Sequence, residues 1–517
     1  MNYPVWDVAF GAGLLIAIVA ITHVFVSHFA IGGGLFLVLT EKKAYREDDA
    51  SLLDWLKRHT KFFVLVTVVF GAISGVGIWF TIGLIHPSGT SALIHAYVWG
   101  WAIEWIFFFL EITAALLYLY GWNKLDRKTH LWLGWIYFIA AYLSMVVING
   151  ILAFMLTPGK WLETQNFWQG FFNPTYFPSL LLRTTFAFAL AGVYALITGT
   201  LQKDLELKGK IVKWSVKWII PAFIIIPIFA WWYIGNIPDV VWESARGKMP
   251  TATQYANSIL IFSALTFLFS LLTLIKPKKV PFALSVLIFL LAFGTMGSFE
   301  FIREAIRKPY IIYDYMYANS IYKDQFPGDG GMSIQNIQQK GLLPVAKWAE
   351  SKEITSENQM AAGMEIFRIQ CQSCHTIDGY RGIRKVLVEK KWSQTAISRR
   401  ISSLENMFNA VMPPFAGTDE ERETLAAYLT TLAPVAPEDV EVTDIDISGE
   451  VVFEANCADC HEYAASDTMF VSMGKYDFSE VSYLITRLDS LSEEMPPFEG
   501  SDAEREALAR WIPVQFK

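Results

Sequence analysis

The chain has 517 residues, 53% of them hydrophobic and 15% aromatic, with a formal net charge of −7. That length predicts more than one domain, and with no basic face in the sequence nucleic acid is excluded as a partner. The mean hydropathy of +0.35 averages two unlike halves. Residues 1 to about 310 are apolar runs with short polar breaks, and from about 320 onward the sequence is polar and acidic.

Eight apolar stretches reach the roughly twenty residues that a bilayer core requires. They fall at about 9–39, 60–86, 94–121, 131–156, 178–201, 215–236, 255–275 and 280–303. The first is long enough to stay in the bilayer, so it reads as a span and not as a cleavable signal peptide. The loops after spans one, three, five and seven carry 6, 3, 5 and 3 Lys or Arg residues, whereas those after spans two, four and six carry 0, 1 and 2. Positive loops stay in the cytoplasm. The expected topology therefore starts outside and delivers the C-terminal half to the outside as well.

Ionisable residues inside such spans are candidates for function. Span one holds His23 and His28, which five-residue spacing turns to different faces of a helix. Gly32–Gly34 follow and permit close helix packing or the approach of a flat macrocycle. Span three carries Glu104 and Glu111, seven apart and so on one face, the arrangement a proton relay needs. Span five opens with Leu182-Arg183-Thr184. Span eight leaves the bilayer through Glu300, Arg303, Glu304 and Arg307, whose spacing also suits plain i,i+3 and i,i+4 charge pairs. His59 and His130 fall at cytoplasmic ends and are expected at the interface, while His86 and His95 lie near the outer surface.

The polar half is organised by Cys371-Gln-Ser-Cys374-His375 and its echo Cys457-Ala-Asp-Cys460-His461. Cys-x-x-Cys-His is the attachment signal for c-type haem: two thiols reach two vinyl groups of one porphyrin, and the histidine is placed to ligate its iron. A redox dithiol or half of a zinc site is the alternative, but all four cysteines of the chain lie in these two motifs. Met412 and Met495 stand 41 and 38 residues beyond the first cysteine of their motifs, as soft second ligands. Met407 and Met473 lack the Met-Pro-Pro context. The stretches that begin at Met412 and Met495 agree at 11 of 15 positions, so the half is an internal duplication. Each copy has an entry helix (Gly363 and Phe367; Gly449 and Phe453) and a closing helix (420–432; 503–512). Both copies resemble class I cytochrome c modules, which places two covalent c haems on the outer side.

The membrane half, about residues 5–312, resembles subunit I of the cytochrome bd oxygen reductases. His23 followed by Gly32 matches that family's first-helix haem ligand. Ala-Ile-Glu104 and Phe-Leu-Glu111 match its proton-path carboxylates, although Glu104 stands one residue nearer Glu111 than in the family. Glu304-x-x-Arg307-Lys308-Pro309-Tyr310 matches Glu-x-x-Arg-Gln-Pro-Trp, whose Glu ligates a high-spin b haem. Four departures stand beside these matches. Arg183 replaces the family's second haem-ligating histidine, and no methionine stands in span seven. The quinol-binding loop has shrunk to about Pro238–Gln254, and a ninth helix is missing. Arg183 is left to anchor a haem propionate or to fill the vacated space.

The expected fold is therefore all-α: residues 1–312 as an eight-helix membrane bundle, 313–352 as a linker, and 353–435 and 436–517 as two extracytoplasmic cytochrome c folds. The resemblance implies haem b, haem d or both in the membrane, a subunit II-like partner, and insertion in a bacterial cytoplasmic membrane. It further implies that electrons from a periplasmic cytochrome c pass through the two c haems and reduce O2 to water. The alternative is a non-catalytic subunit that relays electrons between membrane haems, or a partner's quinol site, and periplasmic cytochromes. Reduction of another small oxidant such as nitric oxide is a third reading.

Overall fold

The computed structural model describes residues 6–243, 250–325, 330–390, 392–402, 404, 411–433, 449–458, 461, 476–488, 495–498 and 500–515. The chain divides into two compact units, one comprising Gly13–Arg307 with Ile311–Met316, the other Tyr317–Lys517 with Met1–Ala12 and Lys308–Tyr310.

Among the described residues, eight helices are long and apolar enough to cross a membrane: Ala12–Arg46, Ala50–Ile85, Val98–Gly121, Arg127–Phe154, Tyr176–Thr200, Leu205–Ile234, Thr253–Thr273 and Phe282–Ala305. They overlie the eight predicted stretches and run further at the basic ends, where aspartates cap them. Asp49 accepts from the Leu52 N–H at 2.9 Å, Asp126 from Lys128 at 3.0 Å, and Asp204 from Glu206 at 2.8 Å. Such caps satisfy backbone donors that a helix start leaves open. The second span contains a π-helical turn at Leu65–Phe70, a feature that concentrates at functional sites. Side chains such as Val76, Trp99, Trp105, Phe109, Trp231 and Leu260 stay exposed on the outside of the bundle, which in hydrocarbon costs nothing.

The fifth span is the most enclosed of the eight, with 78% of its central window buried, and it packs on the sixth and eighth. Its approach to the first span requires glycine: a Cβ on Gly32 would lie 1.9 Å from the Ala187 carbonyl oxygen. The glycine run is thus used for helix packing, since Gly33 faces Phe63 and Gly34 faces Tyr137.

In the second unit, the entry helix Gln359–Gln370 crosses the closing helix Asp419–Leu432 at Gly363, whose Cβ would meet Tyr428 Cβ at 2.6 Å and the Thr424 carbonyl oxygen at 2.7 Å. The duplicate repeats this crossing: a Cβ on Gly449, in Gly449–Asn456, would lie 2.1 Å from Trp511 Cβ in Asp502–Gln515. Each copy has its own core, around Phe367 in one and Phe453 in the other. The segment expected as a linker contributes Ile321, Met332, Ile337, Leu342 and Leu343 to the first of these cores. It is pinned where Glu421 accepts from the Leu342 and Leu343 N–H groups at 2.8 and 2.7 Å. The one sheet among the described residues is a two-stranded ladder, Tyr310–Ile312 with Met316–Tyr317.

Replacing Gly363 by Ala is expected to push these helices apart at a cost of about 1–3 kcal/mol. The check is the thermal unfolding midpoint of the haem-loaded protein; an unchanged midpoint would contradict the crossing.

Candidate functional site

The first Cys-x-x-Cys-His motif begins where its entry helix ends. The Cys371 N–H donates to the Phe367 carbonyl at 2.8 Å, and the N–H groups of Cys374 and His375 both return to the Cys371 carbonyl, at 3.0 and 2.9 Å. The duplicate makes the same bonds, from Cys457 to Phe453 at 2.7 Å and from His461 to Cys457 at 2.9 Å. Cys460 lies outside the described residues, as do Met407 and Met473.

The His375 Nδ1–H donates to the Arg381 carbonyl at 3.2 Å, which leaves Nε2 with its lone pair for a metal. Burial lowers the pKa of this imidazole and so favours its neutral, ligating form. Burial also pushes the Cys371 thiol up to about 12, away from the thiolate that zinc would need. Among the described residues no group of three or more His, Cys, Asp or Glu is arranged to hold a metal ion on its own. An open hollow of about 710 Å³ lies against His375, bordered by Ile377, Gly379, Arg381 and Lys385, a size suited to a cofactor. Met412 and Met495 are half-buried. The Gln370 amide donates to the Ala416 carbonyl, tying the Met412 loop to the end of the helix that presents Cys371. These residues fit a covalently held haem.

In the membrane unit, the His23 Nδ1–H donates to Ser74 Oγ at 3.0 Å, and that hydroxyl donates in turn to the Phe70 carbonyl at 2.8 Å. The chain of donors fixes one tautomer and again leaves Nε2 free to ligate. A Cβ on Gly75 would come within 3.1 Å of His23 Cε1, so the glycine keeps the ring's place open. His28 is buried and spends Nδ1 on its own helix, at the Val24 carbonyl.

The third-span carboxyl groups are both met by hydroxyls of the fourth span. Ser144 donates to Glu104 at 2.9 Å, and Tyr137 lies 3.2 Å from Glu111 and 3.0 Å from the Ala30 carbonyl. In the eighth span the enclosed carboxylate is Glu300. Arg183 Nη2 lies 3.1 Å from one of its oxygens and Arg303 Nε 2.8 Å from the other. Glu304, one turn on, is 43% exposed and pairs with the buried Arg307. Three donors on these arginines, Arg183 Nε, Arg303 Nη1 and Arg307 Nε, are buried with no hydrogen-bond partner among the described residues. Orphaned guanidinium donors suit an anionic group such as a haem propionate.

Two histidines depart from expectation. His59 and His130, expected at the interface, are 1% and 2% exposed. Aromatic rings enclose them: Trp55 stacks on His59 at 5.0 Å and Trp122 lies 4.2 Å from His130. His59 also bonds the Thr198 hydroxyl at 2.9 Å. His86 is buried and His95 bonds within its own turn to the Ser91 carbonyl at 2.8 Å. In the sequence Glu300 falls among the i,i+3 and i,i+4 charge pairs of the helix that leaves the bilayer. Its spacing from Arg303 was visible, but its partner Arg183 lies more than a hundred residues away.

Residues 12–236 match the family model described as cytochrome bd terminal oxidase subunit I. Residues 358–429 and 446–512 match the one described as cytochrome C oxidase, cbb3-type, subunit III. The chain joins a cytochrome bd subunit I domain to a cbb3-type cytochrome c domain. No curated protein matches it. Among solved structures, the bd oxidase from Geobacillus thermodenitrificans is 14% identical and aligns over 58% of this chain and 87% of that one with a TM-score of 0.53, a likeness of fold. A bd-like membrane domain with a cytochrome c domain makes this a multi-pass membrane protein and a respiratory electron-transfer oxidoreductase. It carries covalent haem c and membrane haem as its two kinds of cofactor.

Pyridine haemochrome analysis is expected to give two c haems per chain, falling to one in the Cys371→Ala/Cys374→Ala double variant. His375→Ala should keep its covalent haem and lose the six-coordinate spectrum of that module. Two c haems surviving in the double variant would refute the assignment.

Proposed function

We propose that this chain is the catalytic subunit of a cytochrome c-fed oxygen reductase, with electrons entering through the duplicated haem c modules in place of quinol. The observation that carries the reading is the His23–Ser74–Phe70 donor chain, which prepares a half-buried imidazole in a span to ligate through Nε2. Haem, when bound, supplies the redox chemistry and the open iron position.

His23 and Glu304 are the proposed membrane ligands, and Arg307, already paired with Glu304, orients that carboxylate. Arg183 and Arg303 offer their remaining donors to propionates while neutralising Glu300. Their pairing fills the position where the resembling family keeps a low-spin haem ligand, which supports entry from the c modules. Reduction of one dioxygen to two waters consumes four electrons and four protons. Glu111, with the Tyr137 hydroxyl beside it, and Glu104, with Ser144, pass those protons along one face of the third span. The basic loops support an entry side in the cytoplasm, with the haem c modules on the periplasmic face of a bacterial inner membrane and a subunit II-like partner beside the chain.

The same Arg183–Glu300 closure favours a second reading, an electron relay with no oxygen chemistry. Carbon monoxide separates the two. The oxidase predicts non-c haem that binds carbon monoxide, and oxygen consumption driven by reduced cytochrome c that His23→Ala abolishes. Glu111→Gln should slow that consumption by on the order of 10²-fold with c-haem reduction unchanged. Only six-coordinate haem and no oxygen uptake would refute the oxidase.

A further inference from the structure

A third ionisable cluster lies at the basic end of the bundle, outside every site described so far. Glu41 of the first span is 0% exposed and His130 of the fourth is 2% exposed. His130 Nδ1 stands 2.8 Å from one Glu41 oxygen, and the Tyr118 hydroxyl of the third span donates to the other at 2.6 Å. His130 Nε2 lies 2.9 Å from the Tyr118 carbonyl, which can only accept, so this nitrogen carries a hydrogen. A proton must then lie between Nδ1 and the carboxylate. Without it, two lone pairs would face each other in a buried site. The pair therefore holds one exchangeable proton whichever atom carries it.

The cluster has a way in and a way out. Tyr45, half-exposed at the end of the first span, lies near the same carboxylate and has the Arg127 guanidinium over its ring at 4.6 Å. On the inner side, Tyr118 stands seven residues after Glu111, which itself stands seven after Glu104. The three share one face of the third span, with about 10 Å of helix between successive members. The first gap holds a cavity of about 10 Å³, bordered by Tyr118, Tyr137, Gly34 and Gly134. That is roughly the space of a single water, and Tyr137 on its far side is the residue beside Glu111. At glycines 34 and 134 on its border there is no room for a side chain: a Cβ would strike Tyr137 at 2.4 Å and Val38 at 2.5 Å, respectively.

We infer that Glu41, with His130 and Tyr118, is the proton-loading station from which Glu111 is refilled across this cavity. The inference rests on the proposed use of Glu111 as a proton carrier. Tyr45 from the first span, Tyr118 from the third, and His130 and Arg127 from the fourth are the titratable or charged groups that face or flank Glu41. A proton released toward Tyr137 leaves the Glu41 carboxylate facing a bare Nδ1, and a proton taken through Tyr45 restores the pair. No bond to carbon is made or broken, and no electron moves in this step.

The test is proton uptake when the purified complex is reduced anaerobically by reduced cytochrome c, followed with a pH-indicating dye. Glu41→Gln should slow uptake at least about tenfold, leave c-haem reduction at its normal rate and flatten the pH profile of uptake. Tyr118→Phe removes one hydroxyl only and should slow uptake more mildly; it decides the matter if Glu41→Gln fails to assemble. Uptake at the normal rate in either fully haem-loaded variant overturns the inference, as does a parent protein that takes up no proton on reduction. Because uptake is read without oxygen, a parent that takes up protons here but consumes no oxygen in a separate aerobic assay sinks the oxidase reading and leaves this one standing.

Discussion

An ion buried between membrane helices must be accompanied, because the surrounding hydrocarbon offers neither water nor counter-ions. The Arg183–Glu300 pair joins the fifth and eighth spans under that constraint, and Arg303 completes it. Removing one partner from such a pair typically costs about 3–5 kcal/mol, so the most enclosed helix of the bundle is locked to the helix that leads out toward the C-terminal half. Glu304 and Arg307 follow one turn later. The proposed ligand and its orienting arginine are thus carried on an element whose position the buried pair sets.

The same constraint explains the company kept by the other carboxyl groups. Glu104 and Glu111 are met by hydroxyls, and Glu41 by an imidazole and a phenol. Hydroxyl and imidazole partners can pass a proton on, whereas guanidinium partners hold a carboxylate in its charged form. The membrane unit therefore contains two kinds of acid, told apart by their partners. The arginine-bound kind anchors helices and anionic groups. The hydroxyl-bound kind lines one face of the third span.

Much of this was legible in the sequence. Eight spans follow from run length, since a bilayer demands a fixed number of apolar residues. The haem c modules follow from Cys-x-x-Cys-His and from the repeated Met-Pro-Pro-Phe-x-Gly. Even the helix crossings were marked by Gly363 and Gly449, where backbone meets backbone too closely for a side chain. What stayed hidden were pairings across long stretches of chain. Glu41 and His130 are 89 residues apart, and at the sequence level each sits beside lysines or arginines, so each reads as an interfacial residue. Aromatic lids, Trp122 over His130 and Trp55 over His59, bury them, and nothing in local spacing announces a lid. The segment 313–352, expected as a linker, places Ile337, Leu342 and Leu343 in a core shared with the module that follows it, a pairing that local spacing does not show.

The route of the electrons can be followed by rapid-mixing spectroscopy under anaerobic conditions. The oxidised complex is mixed separately with a reduced cytochrome c and with a quinol, and c and non-c haem absorbances are followed together. Cytochrome c is expected to reduce the c haems first and the membrane haem after them, and quinol to reduce neither at a comparable rate. Quinol reducing the membrane haem while the c haems stay oxidised would contradict that route.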